Sequence, residues 1–165
     1  MTGGPERPEP LRRGDREIVG DAAVEAVIRR CACCRLGFRD GDQVYIVPLS
    51  FGYQREGGRH TFYFHGARQG RKLRLIRESP RVGFELDTGG ALIPGRDPCS
   101  VSMGYESVIG TGVVRLLESP EEKRRGLEEI LRRYGQAEAP LPEEALEKVS
   151  VFRLDVEELR CKARR

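Results

Sequence analysis

Between Phe62 and Leu86 the sequence reads "FYFHGARQGRKLRLIRESPRVGFEL", an aromatic alternating segment that runs through a glycine-punctuated basic turn into a basic helix and a second strand. A phosphate needs several donors converging from one side, some of them backbone N–H groups, with one or two cations held close. This turn can supply them. Gly66 and Gly70 let the main chain approach an anion, Arg68, Arg71 and Lys72 offer charge, and a helix expected from about Gln69 points its positive end at the same place. The turn is not the ATP-type phosphate loop, because its glycine spacing is one short and Lys72 is followed by Leu73 instead of Ser or Thr. Nor is Gly110-Thr111-Gly112 a dinucleotide fingerprint, since it lacks the third glycine and the strand-to-helix context. A mononucleotide-like phosphate fits the turn better. On composition alone, a solvated basic helix start accounts for the same residues.

Few other residues carry recognisable chemistry. His65 ends an alternating strand, where its imidazole could either donate a proton or simply form a hydrogen bond in a cleft wall. His60, beside a tight turn, reads as a solvated strand start. Cys31, Cys33 and Cys34 are too close together for paired metal-ligand spacing, and five cysteines in all give no disulfide framework, so they read as reduced structural thiols with no metal. Cys99 reads either as a cleft residue or as a buried thiol. Glu85 and Glu106 lie on strands and need partners, for which Arg115 or Arg153 are candidates.

The elements that must position this turn follow from the spacing of apolar residues. "DAAVEAVIRR" predicts a short amphipathic helix from Asp21 as its cap, with Ala23, Ala26 and Val27 toward one side. Turns at Asp40-Gly41-Asp42 and Glu56-Gly57-Gly58-Arg59 separate three antiparallel strands. Pro48 falls inside the middle strand and cannot donate a ladder hydrogen bond there, so that strand is expected at an edge, bulged, or opened toward a ligand. Two further strands, "RVGFELDT" and "YESVIGTGVVRLLE", flank a loop holding Pro94, Gly95 and Pro98. "SPEEKRRGLEEILRRYG" predicts a helix capped by Ser119 with Pro120 at its first position, and "LPEEALEKVS" predicts a shorter one. "VSVFRLDVEEL" predicts a last strand. With hairpin-length links and no internal repeat, this order argues for an antiparallel α+β barrel over a doubly wound parallel sheet.

The whole chain sets the bounds. Its 165 residues and 38% hydrophobic content suit one domain with a real core: an arm over residues 1–14, a domain over 15–160 and a tail over 161–165. The net charge of +3 is spread among interleaved acids and bases, so bulk nucleic-acid binding is not indicated, although an arginine-rich arm over residues 6–16 would predict steep salt dependence if it bound one. No apolar run is long enough for a secretory signal or a membrane span, which points to a cytoplasmic protein.

"YIVPLSFGY", "YFHGARQGRKL", "SPRVGFEL" and "CSVSMGYESVIGTG" occur in an order that resembles the FMN-binding split-barrel family related to pyridoxamine 5'-phosphate oxidase, and more narrowly its nitroimidazole-resistance (Nim) branch, over about residues 11 to 158. The resemblance implies a six-stranded antiparallel split β-barrel of Greek-key type with flanking helices, paired as a homodimer with FMN in clefts between protomers. It places the flavin phosphate against Arg71 and Lys72, with Ala67 and Gly70 at backbone distance, and the ring along Pro48, Leu49, Ser50 and Phe51. It brings Tyr105 and Ser107 across the dimer to close the cleft, and it gives His65 an active-site position. The tail with which the oxidase grips its pyridoxal product is missing, since the chain ends "EELRCKARR", which argues against vitamin B6 oxidation. The function implied is a flavoprotein that passes electrons from NAD(P)H to small acceptors, nitroaromatics among them. The alternative is a module of the same fold that carries or senses flavin, haem or a deazaflavin without turnover.

Overall fold

The computed structural model describes residues 12–165, so most of the expected arm lies outside the described residues. A 3-10 turn at Gly14–Arg16 leads to Ile18, whose N–H bonds the carbonyl of Cys161 at 2.9 Å. Helix α1 spans Asp21–Arg30 and is preceded by Gly20 at φ 93°, so glycine and not Asp21 occupies the cap. Its buried face is Val24, Val27 and Ile28, one step round from the face expected.

Seven strands form one antiparallel sheet: β1 (Cys34–Asp40), β2 (Gln43–Leu49), β3 (Gly52–Glu56), β4 (Arg59–Gly66), β5 (Arg81–Ile93), β6 (Ser102–Leu117) and β7 (Ser150–Arg164). Both hairpin turns fall where the Asp-Gly and Gly-Gly signals put them. The count is seven instead of six because the expected middle strand breaks at Ser50-Phe51 into β2 and β3. That break closes the barrel. The strand order is β2-β1-β5-β6-β7-β4-β3, which places β2 and β3 at opposite edges although only two residues join them. Three Cα steps reach about 11 Å at most, so the two edges must curl together at this point. Pro48 therefore lies on an edge strand, as its missing donor requires.

Inside the barrel sit Phe38, Phe51, Phe62, Phe64 and Phe152, all fully buried, with α1 and helix α2 (Arg71–Glu78) packed on the same core through Ile28, Leu73, Leu75 and Ile76. Alternation turns Tyr63 and Val151 outward, where they meet Leu127 and Ile130 of helix α3 (Pro120–Arg133) and Leu146 of helix α4 (Glu143–Lys148). Ser119 caps α3 as expected, its Oγ accepting from the Glu122 N–H at 3.2 Å. Ser119→Ala is expected to cost about 1 kcal/mol in chemical denaturation. At the other end of α3, Arg133 donates to the carbonyls of Ile28 and Cys31 at the end of α1, and Tyr134 Oη donates to Ala32 O at 3.1 Å while accepting from the Phe51 N–H.

Gly110 lies mid-strand in β6, where an added Cβ would stand 2.1 Å from Glu158 O and 2.6 Å from the Phe84 ring. Its size, not phosphate binding, explains this glycine. β7 runs to Arg164, so residues 161–164, expected as a tail, are paired strand, and Cys161 is buried within them.

Candidate functional site

The basic turn sits where β4 hands over to α2. Gly70, at φ 125°, is in a conformation that a side chain would strain, and it ends the turn so that α2 starts at Arg71, two residues later than expected. Ala67 and Arg68 are exposed in the turn. Arg71 donates to Asp40 Oδ2 at 2.6 Å and lies over the Tyr45 ring at 4.6 Å, while Arg74 holds the other Asp40 oxygen at 2.9 Å. Those two guanidinium groups, Arg74 first, keep the Asp40 carboxyl below its ordinary range. Asp40 thereby pins the first turn of α2 against the β1–β2 hairpin. Spacing could not reveal this, since the partners are 31 residues apart and Asp40 read only as a turn residue.

Lys72 is different. Its Nζ is half-buried over the Phe152 ring at 5.2 Å, and a Cβ on Gly66 would come within 2.6 Å of it. Among the described residues no carboxylate answers this ammonium within 4.0 Å. Burial alone pulls its pKa below the usual lysine value. Such a half-buried cation, beside a helix start and against Gly66, can receive an anion.

His65 pairs with Val151 across the β4–β7 ladder at the same end of the barrel. Burial first, and the Lys72 charge second, lower its pKa. The β3–β4 ladder ends where Gly52 pairs with Tyr63, two residues before His65, so the β2–β3 crossover begins near this rim. Pro48 and Ser50 are exposed there and Leu49 is half-buried. Phe51 is not available as expected: its ring is fully buried, 5.6 Å from Phe62 and 3.9 Å beneath Arg133, and its N–H is taken by Tyr134.

Tyr105 and Ser107 lie far from this rim in the same protomer. They pair with Arg164 and Lys162 of β7, whereas His65 pairs with Val151. Along β7 that separation is roughly 36 to 43 Å of strand. Tyr105 instead lines a cavity of about 370 Å³ with Gly90, Gly104, Glu106 and Arg164. Two larger cavities, of about 540 and 450 Å³, lie around Arg59, Thr61 and Arg153 of β4 and β7, away from the basic turn.

The remaining polar residues have structural partners. Glu85 pairs with Arg35 at 2.9 Å and Glu106 with Arg30 at 2.7 Å, in place of Arg115 and Arg153, which both face Asp155. His60 is not a solvated strand start: its Nδ1 lies 2.7 Å from Tyr53 Oη in a half-buried pair. Cys31, Cys34 and Cys161 are buried free thiols, and burial pushes Cys31 and Cys161 up to about 11. Cys99 is exposed on the β5–β6 loop and is not a buried thiol. Among the described residues no three His, Cys, Asp or Glu side chains gather as a metal site, and no helix is long and apolar enough to cross a membrane.

Residues 20–163 match the pyridoxamine 5'-phosphate oxidase family. The chain belongs to that family. Its fold is shared with a candidate 5-nitroimidazole antibiotic resistance protein from Bacteroides thetaiotaomicron, at 28% identity and a TM-score of 0.77, over 89% of this chain and 86% of that one. It is shared as well with the flavocytochrome Anf3 from Azotobacter vinelandii, at 20% identity and a TM-score of 0.80, over 94% of this chain and 72% of that one. A FAD- and haem-binding protein from Mycobacterium smegmatis matches at 15% identity and a TM-score of 0.77, over 90% of this chain and 73% of that one. No curated protein matches the chain. The split barrel and the family that the motifs resemble are thus established for this member of the pyridoxamine 5'-phosphate oxidase family.

Proposed function

We propose that this protein binds FMN with the phosphate on the basic turn, and that as a cytoplasmic homodimer it transfers electrons from NAD(P)H to small acceptors, nitroaromatic compounds included. The observation that carries the reading is Lys72, a half-buried ammonium beside Gly66 and the start of α2 that has no counter-ion among the described residues. A phosphate monoester supplies the missing charge. Gly70 and the first N–H groups of α2 add donors, Arg71 adds a second cation already steadied by Asp40, and the Pro48–Ser50 edge offers backbone and apolar contacts to a ring. Likeness to the candidate nitroimidazole resistance protein supports the choice of acceptor.

Pairing of two protomers explains two further features. Val44 and Ile46 on edge strand β2 are 72% and 62% exposed, and Leu92 and Met103 near the β5–β6 loop are 60% and 52% exposed, an apolar surface that a second copy would cover. A partner is also what Tyr105 and Ser107 need to reach a flavin, because in one protomer they stand far from the basic turn.

The bound flavin supplies two-electron chemistry. The chain's own part is to hold the ring, limit water and manage a proton. Partial desolvation of its ring and the Lys72 charge lower the His65 pKa, which makes its protonated form a readier proton donor. An anion on Lys72 removes one of these two causes. Turnover with NADH or NADPH is expected to rise as pH falls below about 6.5, and His65→Ala is expected to lose at least tenfold in kcat together with that pH dependence. A His65→Ala variant with unchanged turnover would retire the proton-donor role. Stability moves the opposite way. A histidine with a depressed folded pKa binds more protons when unfolded, so the contribution of His60 and His65 is intact above about 6.5 and is lost as pH falls through the lowered folded values.

A second reading keeps the cofactor and removes the turnover: a carrier or sensor of flavin, haem or a deazaflavin. The flavocytochrome and the FAD- and haem-binding protein among the matching folds favour it. Yellow protein that bleaches with NADH or NADPH supports the enzyme, and a Soret band supports the carrier.

A further inference from the structure

Among the described residues most guanidinium groups have a carboxylate partner, as Arg35, Arg74, Arg81 and Arg115 do. Two of those without one share a corner with an unpaired lysine. Arg68, Arg77 and Lys123 line a cavity of about 220 Å³, and among the described residues none of the three has a carboxylate within 4.0 Å. Ser150 opens into the same cavity, and Glu118 is the acidic group on its wall. Three cations against one carboxylate leave an excess of two positive charges. Ser150 is the ladder partner of Gly66, the glycine against Lys72, and Arg68 belongs to the basic turn itself, so this cavity adjoins the expected phosphate position.

We infer that the cavity between α2, the β6–α3 turn and the start of β7 is a second anion subsite, in which Arg68, Arg77, Lys123 and Ser150 receive the second phosphate of an adenine dinucleotide. A monophosphate engages Lys72 and Arg71 only, and the neighbouring unpaired cations then have nothing to bind. A dinucleotide supplies a further phosphate on the same molecule or from the reductant. FAD and NADPH both carry such a group. The dinucleotide assignment rests on the flavin reading above, whereas the anion subsite does not.

The test uses the double variant Arg77→Ala/Lys123→Ala, which leaves Arg71 and Lys72 in place. Flavin-free protein is titrated by calorimetry with FMN, FAD and ADP, and FMN-loaded protein is assayed with NADPH. The variant is expected to keep its FMN affinity within about twofold and to lose at least tenfold in affinity for ADP, as removal of charge-assisted donors predicts. A matching loss for FAD identifies the flavin as the source, and a tenfold rise in KM for NADPH at constant kcat identifies the reductant. Unchanged ADP affinity, or losses for FMN as large as those for FAD, would overturn the subsite. Wild-type protein that takes up no flavin at all would defeat the flavin reading, and the ADP titration would still decide the subsite.

Discussion

Lys72→Met is expected to lower FMN affinity by about ten- to hundredfold while leaving the flavin-free protein at least as stable in urea as the wild type. Both halves follow from one geometry. The ammonium is half-buried over Phe152 with no carboxylate among the described residues to offset its lost hydration, so in the flavin-free fold it contributes little that an unbranched apolar side chain would lose. When a phosphate arrives, the same charge donates to it in a partly dry setting, where such bonds contribute roughly 1.5 to 3 kcal/mol. Arg71→Ala should cost less affinity, because part of its charge is already engaged by Asp40, and it should also loosen the start of α2. A loss of folding stability in Lys72→Met, with FMN affinity unchanged, would mean that this lysine is structural and that the phosphate lies elsewhere.

The largest effect on the fold is expected from Phe62→Ala, at about 3 to 5 kcal/mol in equilibrium denaturation. Phe62 is fully buried, with its ring 5.6 Å from Phe51, 5.2 Å from Tyr53 and 5.4 Å from Phe84. Those neighbours belong to the crossover, to β3 and to β5, so one ring ties the closing edge of the barrel to its opposite wall. Removing it opens a cavity that strands joined at Ser50-Phe51 cannot collapse to fill. A cost under 1 kcal/mol would show that closure depends on the backbone link more than on this aromatic cluster.

Punctuation made much of the fold legible before any coordinates. Asp40-Gly41, Gly57-Gly58 and Ser119-Pro120 each impose a backbone requirement that acts locally, and the elements they bound end or begin there, while Pro48 sits on an edge strand as its missing donor requires. What escaped reading depends on partners distant in sequence. The break at Ser50-Phe51 is visible only once β2 and β3 are known to occupy opposite edges. The second half of β7 looks like a polar tail because only Cys161 among residues 157–164 is buried, which leaves little alternation to detect.

The candidate site divides the same way. The basic turn and His65 were legible as residue types at a strand-to-helix junction, and they do come together. The unlike states of its two cations were not, because Asp40 reaches Arg71 across 31 residues while no carboxylate among the described residues reaches Lys72. Phe51 shows the limit of reading a strip of sequence as a strip of surface. Alternation sends its side chain into the barrel even as its neighbours Pro48 and Ser50 stay exposed.

The most direct measurement compares FMN with riboflavin, which carries the same ring without the phosphate, by calorimetric titration of flavin-free protein. Wild-type protein should prefer FMN by about a hundredfold or more, and Lys72→Met should remove most of that preference by weakening FMN alone. Equal affinity for FMN and riboflavin in the wild type would contradict the assignment of the basic turn to a phosphate.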